Sequence, residues 1–218
     1  RAVLYLPPDK PQFLLGSGSH KRVYKALFFT EDEIEFVAAA VADSTVLSEV
    51  SLYQGFSDDW PTKPYRAFFS LSSTQHVLVL KHYNMGSLFS LKKKRVQLTL
   101  KEKLSIARDA VSSLVAMHQK GFAHRDLHNG NIIVHRTKSG TVQAGLIDLA
   151  RTDRITSTNT HQPQGAVTRN PPEVLRMHFA SVDKVASDTY ALGCCFHVLF
   201  FNTSYPGSLV FNVKKLHL

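Results

Sequence analysis

Residues 124–131 read His-Arg-Asp-Leu-His-Asn-Gly-Asn, and two oxygen-bearing side chains in this run could do chemistry together. Asp126 can accept the proton of a hydroxyl, and Asn131 offers a carbonyl oxygen to a hard cation such as Mg²⁺. A tight loop ahead of the apolar run Ile132-Ile133-Val134 lets the two converge. A second carboxylate, Asp148, closes the next strand in Gly-Leu-Ile-Asp-Leu-Ala. The turn-forming Thr137-Lys138-Ser139-Gly140 makes a hairpin that would bring Asp148 beside Asn131. Mg²⁺ takes few protein oxygens and completes its shell with water and phosphate, so the three residues suit a phosphate-handling site. Taken singly, Asp126 and Asp148 would read as turn or capping residues; the set is what points to chemistry.

A second such stretch, Gly16-Ser17-Gly18-Ser19-His20-Lys21, lies near the start. Closely spaced glycines ahead of a strand let backbone amides approach a phosphate. The strand runs through Val23 and Tyr24, and a second apolar strand, Phe36 to Ala40, follows it. A nucleotide-phosphate site of this kind holds its phosphates with a lysine; where that lysine is expected there is alanine.

The elements that must position these groups change character along the chain. Short strands are predicted over 12–15, 22–29, 33–42, 66–72 and 76–81, with one helix-like segment from Ser44 to Phe56. After residues 81–87 the texture becomes helical. Thr99 with Glu102 makes a capping box, and Leu104, Ala107, Val111, Leu114 and Val115 recur at helical spacing as the predicted buried face. Gly121 is a helix stop. Strands at 131–136 and 143–149 flank the turn, a polar segment runs to about 170, and a helix is expected from about 187 to 201. This order gives a strand-rich lobe over 1–80, a connector over 81–87 and a helical lobe from 88. A small-molecule site is expected in the cleft of such a pair.

Composition narrows the partners. The 218 residues carry a formal charge of +9, which favours nucleotide phosphates or an acidic protein partner. The densest basic run, Lys92 to Arg95, reads as a solvated helix end or loop. Aromatics do not interleave with basic residues, which makes nucleic acid the weaker partner. No run is long enough to cross a bilayer, and the N-terminus lacks signal-peptide order. The two cysteines, Cys194 and Cys195, are adjacent, as expected of a reducing, intracellular and cytoplasmic setting. The 11 histidines show no metal-ligand spacing, so no zinc site is expected, and oligomeric state is left open.

Over nearly its whole length the chain resembles the eukaryotic-type protein kinase family. Gly16 to Ala26 is similar to the glycine-rich loop, residues 124–131 to the catalytic loop, and Ile147-Asp148-Leu149-Ala150 to the metal-binding motif written DFG. Residues 165–173, ending Pro171-Pro172-Glu173, resemble the end of the activation segment. Residues 187–193 resemble the start of the long buried helix of the large lobe. The resemblance implies a bilobal α+β kinase fold, with an antiparallel-sheet N-lobe and a mainly helical C-lobe that is minimal or cut short after that helix.

The resemblance also implies roles. Asp126 would be the catalytic base, with Arg125 before it and His128 beside it, and Asn131 and Asp148 would hold Mg²⁺. ATP would lie against Gly16, Ser17, Gly18, Ser19, Val23 and Ala38, with Leu80 as gatekeeper and Lys81, His82 and Tyr83 as the hinge. Glu49 matches the helix glutamate that pairs with the phosphate-binding lysine, and Asp188 would brace the catalytic loop. Glu173 and Thr168 belong to the activation segment. Arg125 resembles kinases regulated by phosphorylation, and its expected partner is a phosphate on Thr152, Thr156, Ser157, Thr158, Thr160 or Thr168.

Departures from the family pattern are equally informative. The strand motif V-A-x-K reads Val37-Ala38-Ala39-Ala40, while Lys21 occupies the third glycine position of the loop. This resembles the with-no-lysine kinases, and implies that Lys21 replaces the absent cation. The missing lysine and Ala150 also suit a pseudokinase scaffold. His128 in Asp-Leu-His-Asn-Gly-Asn resembles small-molecule phosphotransferases of the aminoglycoside type, ranked last. A compact chain of this kind is similar to bacterial effector kinases, for which the compartment would be the host cytoplasm.

Overall fold

A computed structural model describes residues 2–18, 21–56, 60, 64–157 and 183–203. It divides into two compact units, Arg1–Asn84 and Met85–Leu218, so the boundary falls within the stretch 81–87.

The first unit is an antiparallel sheet. Its strands are β1 (Val3–Tyr5), β2 (Leu14–Ser17), β3 (Lys21–Phe29), β4 (Ile34–Ala42), β5 (Tyr65–Ser70) and β6 (His76–Lys81). Their order is β1-β3-β4-β6-β5, with β2 also on β3. Strand β1 and a 3-10 turn at Pro11–Phe13 go beyond the sequence reading. Side chains alternate across a strand, so the register sorts the residues onto two faces. One face buries Ala26, Phe28, Val37, Ala39, Val77 and Val79 as a core. The other carries Lys21, Val23, Ala38, Ala40, Leu78 and Leu80, because Lys21 pairs with Ala42, Val23 with Ala40, Ala40 with Leu78, and Ala38 with Leu80. Helix α1 (Val46–Phe56) buries Val46, Glu49, Val50, Tyr53 and Phe56, one stripe at helical spacing. Trp60, 1% exposed, stacks on Phe56 and meets Tyr53 edge-on.

The second unit holds β7 (Gly86–Ser87), α2 (Leu88–Lys93), α3 (Leu100–Gln119), β8 (Phe122–Ala123), β9 (Ile132–Arg136), β10 (Val142–Leu146), β11 (Asp153–Arg154) and α4 (Lys184–Phe201). The capping box on α3 forms in full: Glu102 N–H donates to the Thr99 hydroxyl, and Thr99 N–H to the Glu102 carboxylate. Gly121 ends that helix region at φ +80, a left-handed value that glycine adopts without strain. The buried face of α3 differs from the predicted one. Ile106, Asp109, Ala110, Ser113, Leu114 and Met117 are buried, while Leu104, Val111 and Val115 are 54%, 41% and 44% exposed. The two polar members of the buried face are satisfied there: Ala144 N–H donates to the Asp109 carboxylate, and the Ser113 hydroxyl to Asp109 O.

Helix α4 begins three residues earlier than expected, with Asp183 accepting from Ala186 N–H as its N-cap. It buries Lys184, Asp188, Ala191, Leu192, Leu199 and the two cysteines, which form no disulfide. Lys92 to Arg95 end α2 and are exposed, as a solvated helix end should be. Among the described residues no helix is long and apolar enough to cross a membrane.

Candidate active site

In the first unit, the site question is where a cation can come from. Ala40 is buried at the strand position that lacks lysine. Lys21 lies on the same face of the sheet, and its Nζ donates to both oxygens of Glu49 at 3.0 Å. Glu49 is 2% exposed and Lys21 22%, so the pair is largely withdrawn from water. Charge-assisted bonds of this kind, to both carboxylate oxygens, fix the ammonium more firmly than a surface pair would. The Gly16–Gly18 stretch lies beside it: Gly16 pairs with Val23, Ser17 with Arg22, and Gly18 N–H donates to Lys21 O. Leu80 is buried at the end of β6. Lys81 donates its own N–H to Pro64 O, so that amide is already used. Burial holds the Lys81 ammonium below its usual value, Arg66 adds to this, and Glu35 opposes it. His82 is half-buried and Tyr83 buried.

In the second unit, the hairpin does what its turn predicted. The β9–β10 register ends at Ile132 opposite Leu146, and Ile147 N–H then donates to Asn131 O at 3.0 Å. Asp148, one residue on, is thereby carried next to the Asn131 strand end, with a left-handed φ of +68. Asn131 commits its side-chain nitrogen to Asp126 O at 2.9 Å, which leaves its carbonyl oxygen as the atom it can offer a cation. Leu149 is 1% exposed, an apolar anchor directly after Asp148.

The loop that carries Asp126 is braced from α4. The Asp188 carboxylate accepts from His124 N–H at 2.7 Å and Arg125 N–H at 2.8 Å, and bonds His118 Nε2 at 3.0 Å. Arg125 sits at φ +66, a strained value for a residue with a Cβ, and these bonds hold it there. His124, fully buried, bonds Ile147 O through Nε2 and receives Asp126 N–H on Nδ1, so it packs rather than ligates. His128 Nδ1 accepts from Gly130 N–H, which fixes the ring at the turn before Asn131. Arg151 Nε lies 3.7 Å from Asp126 Oδ2.

Sequence reasoning missed the residues around Arg125. Its Nη1 lies 3.4 Å from Asp153 Oδ2, and Lys184 donates to the same oxygen at 3.0 Å. Burial alone would raise the Asp153 pKa, yet hydrogen bonds from Ser157 and Lys184 and the Lys184 charge outweigh it and hold the carboxyl low. Burial also lowers Arg125 from the ordinary guanidinium value, opposed by Asp153 and Asp188. A lysine in the fourth position before Asp188 was the available signal. Ser19, Thr158, Thr160, Thr168 and Glu173 lie outside the described residues.

Comparison with known proteins identifies the family. The protein kinase domain family matches residues 12–208. The chain is 25% identical over 83% of its length to MAP3K epsilon protein kinase 1 of Arabidopsis thaliana, and spans 13% of that protein. It is 24% identical over 97% of its length to the Raf homolog serine/threonine-protein kinase of Caenorhabditis elegans, and spans 29% of it. It is also 26% identical over 56% of its length to serine/threonine-protein kinase cst-1 of Caenorhabditis briggsae, spanning 25%. With the loop, hairpin and bracing helix in the family's order, and a match that covers most of the sequence, this chain belongs to the protein kinase domain family.

Proposed function

We propose that this chain transfers the γ-phosphate of ATP to Ser or Thr hydroxyls of a protein, with Lys21 in place of the missing strand lysine. One observation carries the reading: Lys21 Nζ is held by both oxygens of Glu49 while Ala40 occupies the usual position. A lysine held this way stands beside the Gly16–Gly18 amides, where it would neutralise phosphate oxygens. Asp126 would accept the acceptor hydroxyl's proton as attack begins. Asn131 and Asp148 fit Mg²⁺, because one carbonyl oxygen and one carboxylate are what a cation completed by phosphate and water asks of a protein. Bound there, the ion would offset charge on the transferred phosphoryl group. Among the described residues no cluster of three acidic, His or Cys side chains could hold a metal by itself. The basic chain suits an acidic protein substrate.

The test is transfer of labelled phosphate from ATP to a mixed peptide library. Lys21→Met and Asp126→Ala should each lower transfer by about a hundredfold or more. Unchanged transfer in Lys21→Met would remove the lysine's role, and unchanged transfer in Asp126→Ala would defeat the kinase reading. The second reading is a scaffold without transfer, favoured by the Arg151 guanidinium facing Asp126. It expects no signal from any of the three proteins.

A further inference from the structure

We propose that Asp153 is a built-in anion that holds Arg125, and with it the Asp126 loop, in the place where a phosphate was expected; the inference rests on the kinase reading above. Strand pairing puts Asp153 opposite Ala123, two residues before Arg125. Asp153 Oδ2 takes Arg125 Nη1 at 3.4 Å and Lys184 Nζ at 3.0 Å, and accepts the Ser157 hydroxyl. Asp153 Oδ1 accepts Arg154 N–H at 2.8 Å. Lys184, its side chain 3% exposed, also donates to Arg154 O at 2.6 Å and Ser157 O at 2.9 Å, and contacts the Ser157 hydroxyl. One carboxylate thus stands between two cations. Two of the hydroxyls named as phosphate acceptors are withdrawn: Thr152 Oγ1 is buried without a partner, and Ser157 Oγ is engaged by Asp153 and Lys184. Among the described candidates, Thr156 is the exposed one.

Two consequences follow from charge. The order of this loop does not wait on phosphorylation, because its arginine is already met. Removing the carboxylate leaves Arg125, Lys184 and a hydroxyl around a gap, which is the composition of a phosphate site. Asp153→Ala should therefore acquire a response to inorganic phosphate that the unsubstituted protein lacks.

The experiment measures melting temperature and peptide phosphorylation on the whole chain. Phosphatase treatment and Thr156→Ala should leave both unchanged. Asp153→Ala should melt about 5 °C lower and transfer roughly tenfold less, and inorganic phosphate, against chloride at equal ionic strength, should restore part of both. Asp153→Glu should stay near the unsubstituted protein. If Asp153→Ala fails to fold, Asp153→Asn carries the same comparison. Loss of transfer after phosphatase, an Asp153→Ala protein as stable and active as the original, or equal phosphate stabilisation of both would overturn the proposal. A chain that transfers nothing sinks the kinase reading alone, since phosphate-selective stabilisation of Asp153→Ala still reports the carboxylate's role.

Discussion

Asp188 accepts two backbone N–H groups of the catalytic loop, one of them from Arg125 in its left-handed conformation. Truncating it would orphan both amides and the His118 ring in a region that is buried. Each lost bond to a buried group costs about 1–3 kcal/mol, so Asp188→Ala should lose roughly 3 kcal/mol or more in urea unfolding. A loss under ~1 kcal/mol would mean that water replaces the carboxylate. The Lys21–Glu49 pair acts at the same scale. Its partners are 28 positions apart in sequence, yet both could be named from motif position alone. The Arg125–Asp153–Lys184 cluster could not, because Arg125 alone of the three has a motif position and Asp153 reaches it only through a two-residue strand pairing.

At the scale of elements, α3 separates periodicity from burial. Its sequence offers two apolar stripes, and the stripe through Leu104, Val111 and Val115 faces outward because Asp109 and Ser113 have partners inside. Ile106→Ala and Met117→Ala should each cost about 2–4 kcal/mol, whereas Leu104→Ser and Val111→Ser should stay within about 0.5 kcal/mol. Thermal or urea melts of the four variants decide it, and the reverse ranking would return the buried face to the predicted stripe. Buried polar residues are what a hydrophobic pattern cannot see. Strands β3, β4 and β6, the hairpin β9–β10, the α3 cap and the Gly121 stop were legible, since alternation, turn residues and capping boxes are local. The short β1, β8 and β11 were not, because two or three residues carry no period and exist through their partners.

For the whole molecule, the depressed Asp153 carboxyl ties global stability to pH. Its folded value lies below the ordinary carboxylate value of about 3.9, so the unfolded chain takes up this proton first as pH falls. The contribution is complete above that value and drains away as pH falls below about 4 toward the folded value. Acid unfolding of Asp153→Asn should therefore be less steep there than that of the original protein, monitored by circular dichroism. Identical acid profiles would show that the carboxyl titrates alike in both states.

Cys194 and Cys195 sit on the same helix as Lys184 and Asp188, at 7% and 3% exposure. A thiol reagent can reach them only when α4 lifts or opens. Their alkylation rate is therefore a clock on the helix that supports the Asp126 loop, readable without nucleotide or substrate, and each change at Asp188 or Lys184 should advance it.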